Sequence, residues 1–122
     1  MKLVIAYIRP ERLADVKSQL IQADVTKFSV GNARGCGAER GYRERYRGQE
    51  VQIDLLQRVR LELAVNDSHV QRAVDAILAG ARDAESPDAQ HDTAPGAGKI
   101  LIVPLEDCIR IRDGARGADA VG

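Results

Sequence analysis

Gly35-Cys36-Gly37-Ala38-Glu39-Arg40-Gly41-Tyr42-Arg43-Glu44-Arg45-Tyr46-Arg47-Gly48-Gln49-Glu50 joins two strand-like segments, carries no apolar period and is far longer than an ordinary hairpin connection. Loops of that length inside a compact domain usually act on something. Before it, Phe28-Ser29-Val30-Gly31-Asn32-Ala33 alternates large and small residues as a half-buried strand does. After it, Val51, Ile53 and Leu55 alternate, and Val59, Leu61, Leu63 and Val65 then alternate in a shifted phase. The shift near Gln57-Arg58 predicts a bend or bulge in one long strand.

Working outward, Leu3 to Ile8 is an unbroken apolar run stopped by Arg9-Pro10, which predicts a buried first strand. Leu13, Val16, Leu20 and Ala23 then recur at helical spacing, with Asp15, Lys17, Gln19 and Gln22 on the other faces. Asn66-Asp67-Ser68 offers capping side chains to a second helix, whose apolar stripe is Val70, Ala73, Val74, Ile77, Leu78 and Ala81. Lys99 to Pro104 reads as a further strand, and Ile109-Arg110-Ile111-Arg112 as a short last one. The order βαββαβ plus an extra C-terminal strand predicts an α+β, ferredoxin-like sandwich. Residues 83–98, rich in Asp, Ala, Pro and Gly, read as a loop, and 114–122 as a tail without structure of its own.

At 122 residues the chain forms a single domain, 1–122, small enough to gain stability from self-association. Its 18 basic and 18 acidic side chains cancel, so no global field draws it to nucleic acid or to an anionic membrane. The apolar start is too short for a signal peptide, and no segment approaches the ~20 apolar residues of a membrane span, so a soluble, cytoplasmic protein without membrane insertion is expected. Cys36 and Cys108 have no metal-type spacing and are expected as reduced thiols.

Strand alternation in 109–112 would place both isoleucines on one face and both arginines on the other, with stems about 7 Å apart. Two guanidinium forks pointing the same way suit an anion such as phosphate; the plainer reading is a face salt-bridged by Glu106 or Asp107. Gly96-Ala97-Gly98-Lys99 lets backbone N–H groups approach a phosphate beside a lysine, though a turn before a strand needs the same residues. It lacks the spacing and the following helix of a P-loop. His69 and His91 have no nearby partners and read as surface residues. In the long loop, arginines alternate with glutamates as a solvated face would, but Tyr42 and Tyr46 beside Arg43, Arg45 and Arg47 are residue types that anchor interfaces.

From Met1 to about Gly117 the pattern resembles the PII signal-transduction family. The resemblance is carried by Gly35-Cys36-Gly37, Gly41, Glu44, Tyr46-Arg47-Gly48, Asp54-Leu55-Leu56 and Ile109-Arg110-Ile111-Arg112. It implies a homotrimer whose inter-subunit clefts bind ATP, ADP or AMP as effector, and a regulator rather than an enzyme. Residues 35–51 would be its T-loop, which docks on a client transporter or enzyme through Tyr42, Arg43, Arg45, Tyr46 and Arg47. The resemblance places Gly35, Gly37, Arg58, Gly96, Gly98, Lys99, Arg110 and Arg112 in the nucleotide cleft, with Gly96 to Lys99 in the B-loop.

Departures from the family pattern shape the expected function. Val51 stands where some members carry a uridylylated tyrosine, and Gln49 where others carry a phosphorylated serine, so neither modification is expected. Glu39 replaces a glutamine that helps ligate Mg²⁺ and 2-oxoglutarate; a carboxylate can hold Mg²⁺ but repels a dianionic keto acid. Arg58 replaces a lysine, keeping charge while changing its geometry. The 83–98 segment is an extended B-loop whose Asp83, Glu85, Asp88 and Asp92 are expected to disfavour triphosphate, so that ADP or AMP binds at least as well as ATP.

These departures point to a PII-like regulator of an inorganic-carbon client, a bicarbonate transporter or carboxysome-associated process, with bicarbonate as co-ligand. The alternative is a nitrogen regulator acting on an ammonium transporter or the glutamine synthetase pathway. Two other classes share the fold. An RNA-binding module would need more stacking aromatics than one Phe and three Tyr. An acylphosphatase-like hydrolase would need a glycine-rich phosphate nest where the chain has Arg9-Pro10-Glu11-Arg12.

Overall fold

Alternation along the opening strand decides the layering. Val4, Ala6 and Ile8 are buried together, while Leu3, Ile5 and Tyr7 point to the opposite side. A computed structural model of the chain describes residues 1–35, 43–46, 49–52, 55–82 and 96–122, with the backbone alone for 43–46 and 49–52. In chain order its elements are β1 (Lys2–Ile8), α1 (Leu13–Gln22), β2 (Ser29–Gly35), β3 (Arg43–Tyr46), β4 (Gln49–Gln52), β5 (Leu56–Val65), α2 (Val70–Ala81), β6 (Gly98–Pro104) and α3 (Ala118–Val121).

Four strands form one antiparallel sheet in the order β2-β5-β1-β6. The two longer helices cover one face of it, which is the ferredoxin-like α+β sandwich expected from the element order. On that face Val59, Leu61, Leu63 and Val65 of β5 join Val4, Ala6 and Ile8 under Val16 and Leu20 of α1 and Ala73, Ala76 and Ile77 of α2. Each large aliphatic side chain fully buried there contributes about 1.5–3 kcal/mol of transfer free energy.

The helices meet through small residues. A methyl group on Gly80 would lie 2.5 Å from Val16 Cα, so the backbones of α1 and α2 touch where α2 has no side chain. Helix α1 ends in a paired cap: Val25 N–H reaches Leu20 O at 2.8 Å and Asp24 N–H reaches Ile21 O at 3.0 Å, with Asp24 at φ 61. Val25 then turns back into the core.

Three expectations need correction. The stretch from Val51 to Val65 is not one bent strand: Gln49–Gln52 pairs with Arg43–Tyr46 as a separate two-stranded sheet, and Leu56–Val65 pairs with β1 and β2 in unbroken register. The phase shift marks the passage between two sheets, not a bulge at Gln57-Arg58. The extra strand over Ile109 to Arg112 is reduced to a single bridge between Ile109 and Arg116. The chain turns back there, because Arg110 N–H bonds Ala115 O and Gly114 N–H bonds Arg110 O. The stretch after Gly114 carries α3, docked by Asn66 Nδ2 on Ala118 O at 3.5 Å and Lys27 Nζ on Gly122 O at 2.5 Å.

Gly80→Ala is expected to lower stability by roughly 1–3 kcal/mol, since neither backbone can yield cheaply. Urea unfolding checks this, and an unchanged midpoint would refute the close contact.

Candidate functional site

Register brings several of the sequence-predicted residues to one end of the sheet. Ile8, the last residue of β1, faces Val59 of β5 and Gly98 of β6, while Ala33 and Gly35 of β2 face Arg58 and Leu56. Gly35, Arg58, Gly98 and Lys99 therefore gather there, with Gly96 two residues before β6. Residues directly opposite share a face, so Arg60, Tyr7 and Lys99 form a row on the side away from the helices, and Arg58 lies one row further out.

Within this group the contacts are specific. The Arg58 side chain passes Gly35: a methyl group placed on that glycine would lie 3.5 Å from Arg58 Cγ. Arg58 Nη1 donates to Gln57 O at 3.3 Å. Arg9 Nε donates to Gly96 O at 3.4 Å, a long bond that ties the approach to β6 to the end of β1. Pro10, Asn32, Ala33, Arg34, Gln57 and Arg58 line a cleft of about 350 Å³ at this end. Guanidinium groups and side-chain amides around an open cleft suit an anionic ligand.

The two glycines before Lys99 are not equivalent. Gly98 has φ +114, and a methyl group on it would run into the Tyr7 carbonyl, so the β1–β6 approach itself requires glycine. A methyl group on Gly96 would meet nothing within 4 Å.

Arg110 and Arg112 lie elsewhere. Strand β6 runs about 20 Å from Gly98 to Pro104. At its far end Leu105 N–H bonds Met1 O, and the folded-back segment that follows carries both arginines. Arg110 Nη1 donates to Asp113 Oδ2 at 2.9 Å and Arg110 Nη2 to the Asp119 carbonyl, whereas Arg112 is exposed at the tip of the turn. Nearby carboxylates do engage this region, but Asp113 pairs with Arg110, and Asp107 pairs with Arg116 at 3.1 Å. Within one chain the two arginines do not join Arg58 and Lys99.

Gly37, Glu39, Tyr42 and Arg47 lie outside the described residues, as do Cys36, His91 and the 83–95 part of the 83–98 loop; so do the side chains of Arg43, Arg45 and Tyr46. Cys108 is a half-buried free thiol, and His69 Nδ1 pairs locally with Ser68 Oγ at 2.9 Å. Among the described residues no cluster of His, Cys, Asp or Glu is placed to hold a metal ion, and no helix is long and apolar enough to cross a membrane. The sequence reading missed Arg34 altogether and took Arg9 mainly as the end of a strand. Their only local signals were a cation beside Gly35 and a cation before Pro10.

Comparison with known proteins gives one family. Residues 1–115 match the family described as nitrogen regulatory protein P-II. Nitrogen regulatory protein GlnK1 of Methanosarcina mazei is 41% identical over 121 residues, covering 99% of this chain and 97% of its own. Nitrogen regulatory protein P-II of Nostoc punctiforme is also 41% identical, covering 99% and 100%. Among solved structures, Arabidopsis thaliana PII bound to citrate superposes with a TM-score of 0.73 at 28% identity, covering 98% of this chain and 88% of that one.

Asp113 is held below the ordinary aspartate range, first by the Ala115 N–H donated to Oδ1 at 3.1 Å and then by Arg110, against the opposing effect of partial desolvation. A depressed carboxylate adds stability above its unfolded pKa of about 3.9 and loses it as pH falls through the lower folded value. The Ala115 amide resonance is therefore expected to titrate with a midpoint below that of a free aspartate. A midpoint at or above it would show that the turn does not hold the charge.

Proposed function

The chain belongs to the nitrogen regulatory protein P-II family, and from that premise we propose a homotrimeric sensor of adenine nucleotide that reports nitrogen status to a client through residues 35–51. As a PII protein it is a signalling regulator acting on client proteins rather than an enzyme. The client fitting this reading is an ammonium transporter or an enzyme of glutamine synthesis. Relatives named as nitrogen regulators match along 99% of the chain, which favours this alternative over the inorganic-carbon client expected from Glu39 and Arg58.

The observation that carries the nucleotide reading is the separation of the two cationic groups. Arg58 and Lys99 stand at one end of the sheet, and Arg110 and Arg112 beyond the other. A single phosphate chain reaches both groups only where one subunit's C-terminal turn meets the next subunit's sheet end, which is a cleft between chains. Self-association has its own support on the open face of the sheet, where Leu3, Ile5, Leu101 and Val103 lie together at the end away from Lys99. Leu101 and Val103 are 40% and 41% exposed, and Arg60 Nε on the same face is buried without an acceptor among the described residues. Apolar surface and an unmet donor both gain from a partner. Lys99, Arg58 and the cleft beside it fit nucleotide phosphates in charge; Mg²⁺, if used, would fall to Glu39 and the phosphates themselves.

Calorimetric titration with ATP, ADP and AMP, with and without Mg²⁺ and 2-oxoglutarate, tests the reading. Nucleotide binding is the expected result, and a gain in affinity with 2-oxoglutarate would show that the Glu39 carboxylate does not exclude the keto acid. A response to bicarbonate instead would return the inorganic-carbon client, and no nucleotide binding would end the sensor reading. Mixing separates the geometry: Arg58→Ala and Arg110→Ala trimers should each bind weakly, and trimers re-formed from both chains should regain part of the binding, because some clefts then have two intact halves. No recovery would place both arginines in a site made by one chain.

A further inference from the structure

Arg110 is already occupied. Its Nη1 donates to Asp113 Oδ2 at 2.9 Å and its Nη2 to the Asp119 carbonyl, so one arm of the guanidinium fork is satisfied within the turn and the other by α3. The turn is built to keep them so. Asp107 accepts the N–H groups of Cys108 at 2.8 Å and Gly117 at 3.2 Å and pairs with Arg116, closing its base. Gly117 N–H on Cys108 O and Arg110 N–H on Ala115 O brace it, and Ala115 N–H fixes the Asp113 carboxylate by its other oxygen. Arg112, two residues away, is exposed, and no hydrogen bond or ion pair reaches it among the described residues.

We infer that Asp113 lowers the anion affinity of the Arg110–Arg112 pair: its carboxylate holds the Nη1 arm of the Arg110 fork as an internal substitute for phosphate, so an incoming polyphosphate meets Arg112 first and must then displace the Asp113 carboxylate, the one charged competitor at that fork. This rests on the reading that the pair belongs to a nucleotide cleft. A carboxylate and a phosphate compete for the same planar fork, and two anions on one guanidinium repel each other. The penalty grows with the charge brought in, so Asp113 weakens ATP more than AMP. It also acts from within the turn, independently of any acidic residue in the 83–98 loop.

The decisive comparison is wild type against Asp113→Asn in the full-length protein. The amide oxygen of asparagine still accepts the Ala115 N–H, so the turn keeps its brace while the competing charge is lost. Affinity for ATP should rise about tenfold, with a smaller gain for AMP, so that the ATP-to-AMP preference increases. Asp113→Ala removes the brace as well; a gain in the asparagine variant and a loss in the alanine variant would separate charge from scaffolding and support the inference.

A second probe does not depend on nucleotide recognition. Tripolyphosphate, followed by the Arg110 Nε–H resonance, should shift that resonance at lower concentration in Asp113→Asn than in wild type. Equal affinities in wild type and Asp113→Asn, or an Arg110 resonance that tripolyphosphate moves in neither, would overturn the inference. Absence of nucleotide binding by wild type with a tripolyphosphate response at Arg110 would instead sink the nucleotide reading and leave the Asp113 competition standing.

Discussion

Strand β1 is hydrogen-bonded on both edges and has different chemistry on its two faces, and the rest of the molecule is arranged around that fact. Its alternation sends Val4, Ala6 and Ile8 into the core and Leu3, Ile5 and Tyr7 to the open side. A slip of one residue against β5 or β6 would exchange the two sets and break the packing under both helices. The register is fixed from the other side as well, because Gly98 is the residue that can pass the Tyr7 carbonyl. What puts Lys99, Arg60 and Arg58 on a common face is therefore the same constraint that makes the core.

That constraint also explains how a chain with no net charge presents a cationic surface. The open face is apolar around Leu3, Ile5, Leu101 and Val103 and basic around Arg58, Arg60 and Lys99. Glu62 neutralises Arg60 at 2.8 Å, with both side chains about two-fifths exposed, so the pair orders the surface more than it stabilises the fold. Charge totals count such residues equally; their positions in the sheet decide which of them can act on a ligand.

Much of this architecture was legible in the sequence because burial follows period. The runs at Leu3 to Ile8 and Lys99 to Pro104 and the stripe from Val70 to Ala81 had one consistent reading, and the structure has β1, β6 and α2 there. Ile109 to Arg112 has an equally regular period of two yet is not a strand, since Asp113 and the 114–110 and 110–115 backbone bonds close a turn before a partner edge is reached. Ile111 is left fully exposed, which a period alone could not foretell. Helix α3 spans four residues, too few for a period to register. For the site, Gly98 and Arg58 were legible from resemblance, but Arg9 and Arg34 come near Gly96 and Arg58 through strand pairing, which no local pattern encodes. The occupied state of Arg110 was hidden for the same kind of reason: the basic pair was visible, its competitor three residues on was not read as one.

On the proposed reading, the position of Gly35 matters more than its contribution to binding. It is the last residue of β2, it lies against the Arg58 side chain, and the long loop departs from it. On that reading, an anion in the cleft that shifts the Arg58 side chain would change the surroundings of Gly35 without any longer relay. A ligand can bias the loop only by its difference in affinity between two loop states. A tenfold bias needs about 1.4 kcal/mol, which is within what one hydrogen bond to a charged group supplies. On that reading, one contact made or lost beside Gly35 is of the size that a tenfold bias of the loop requires.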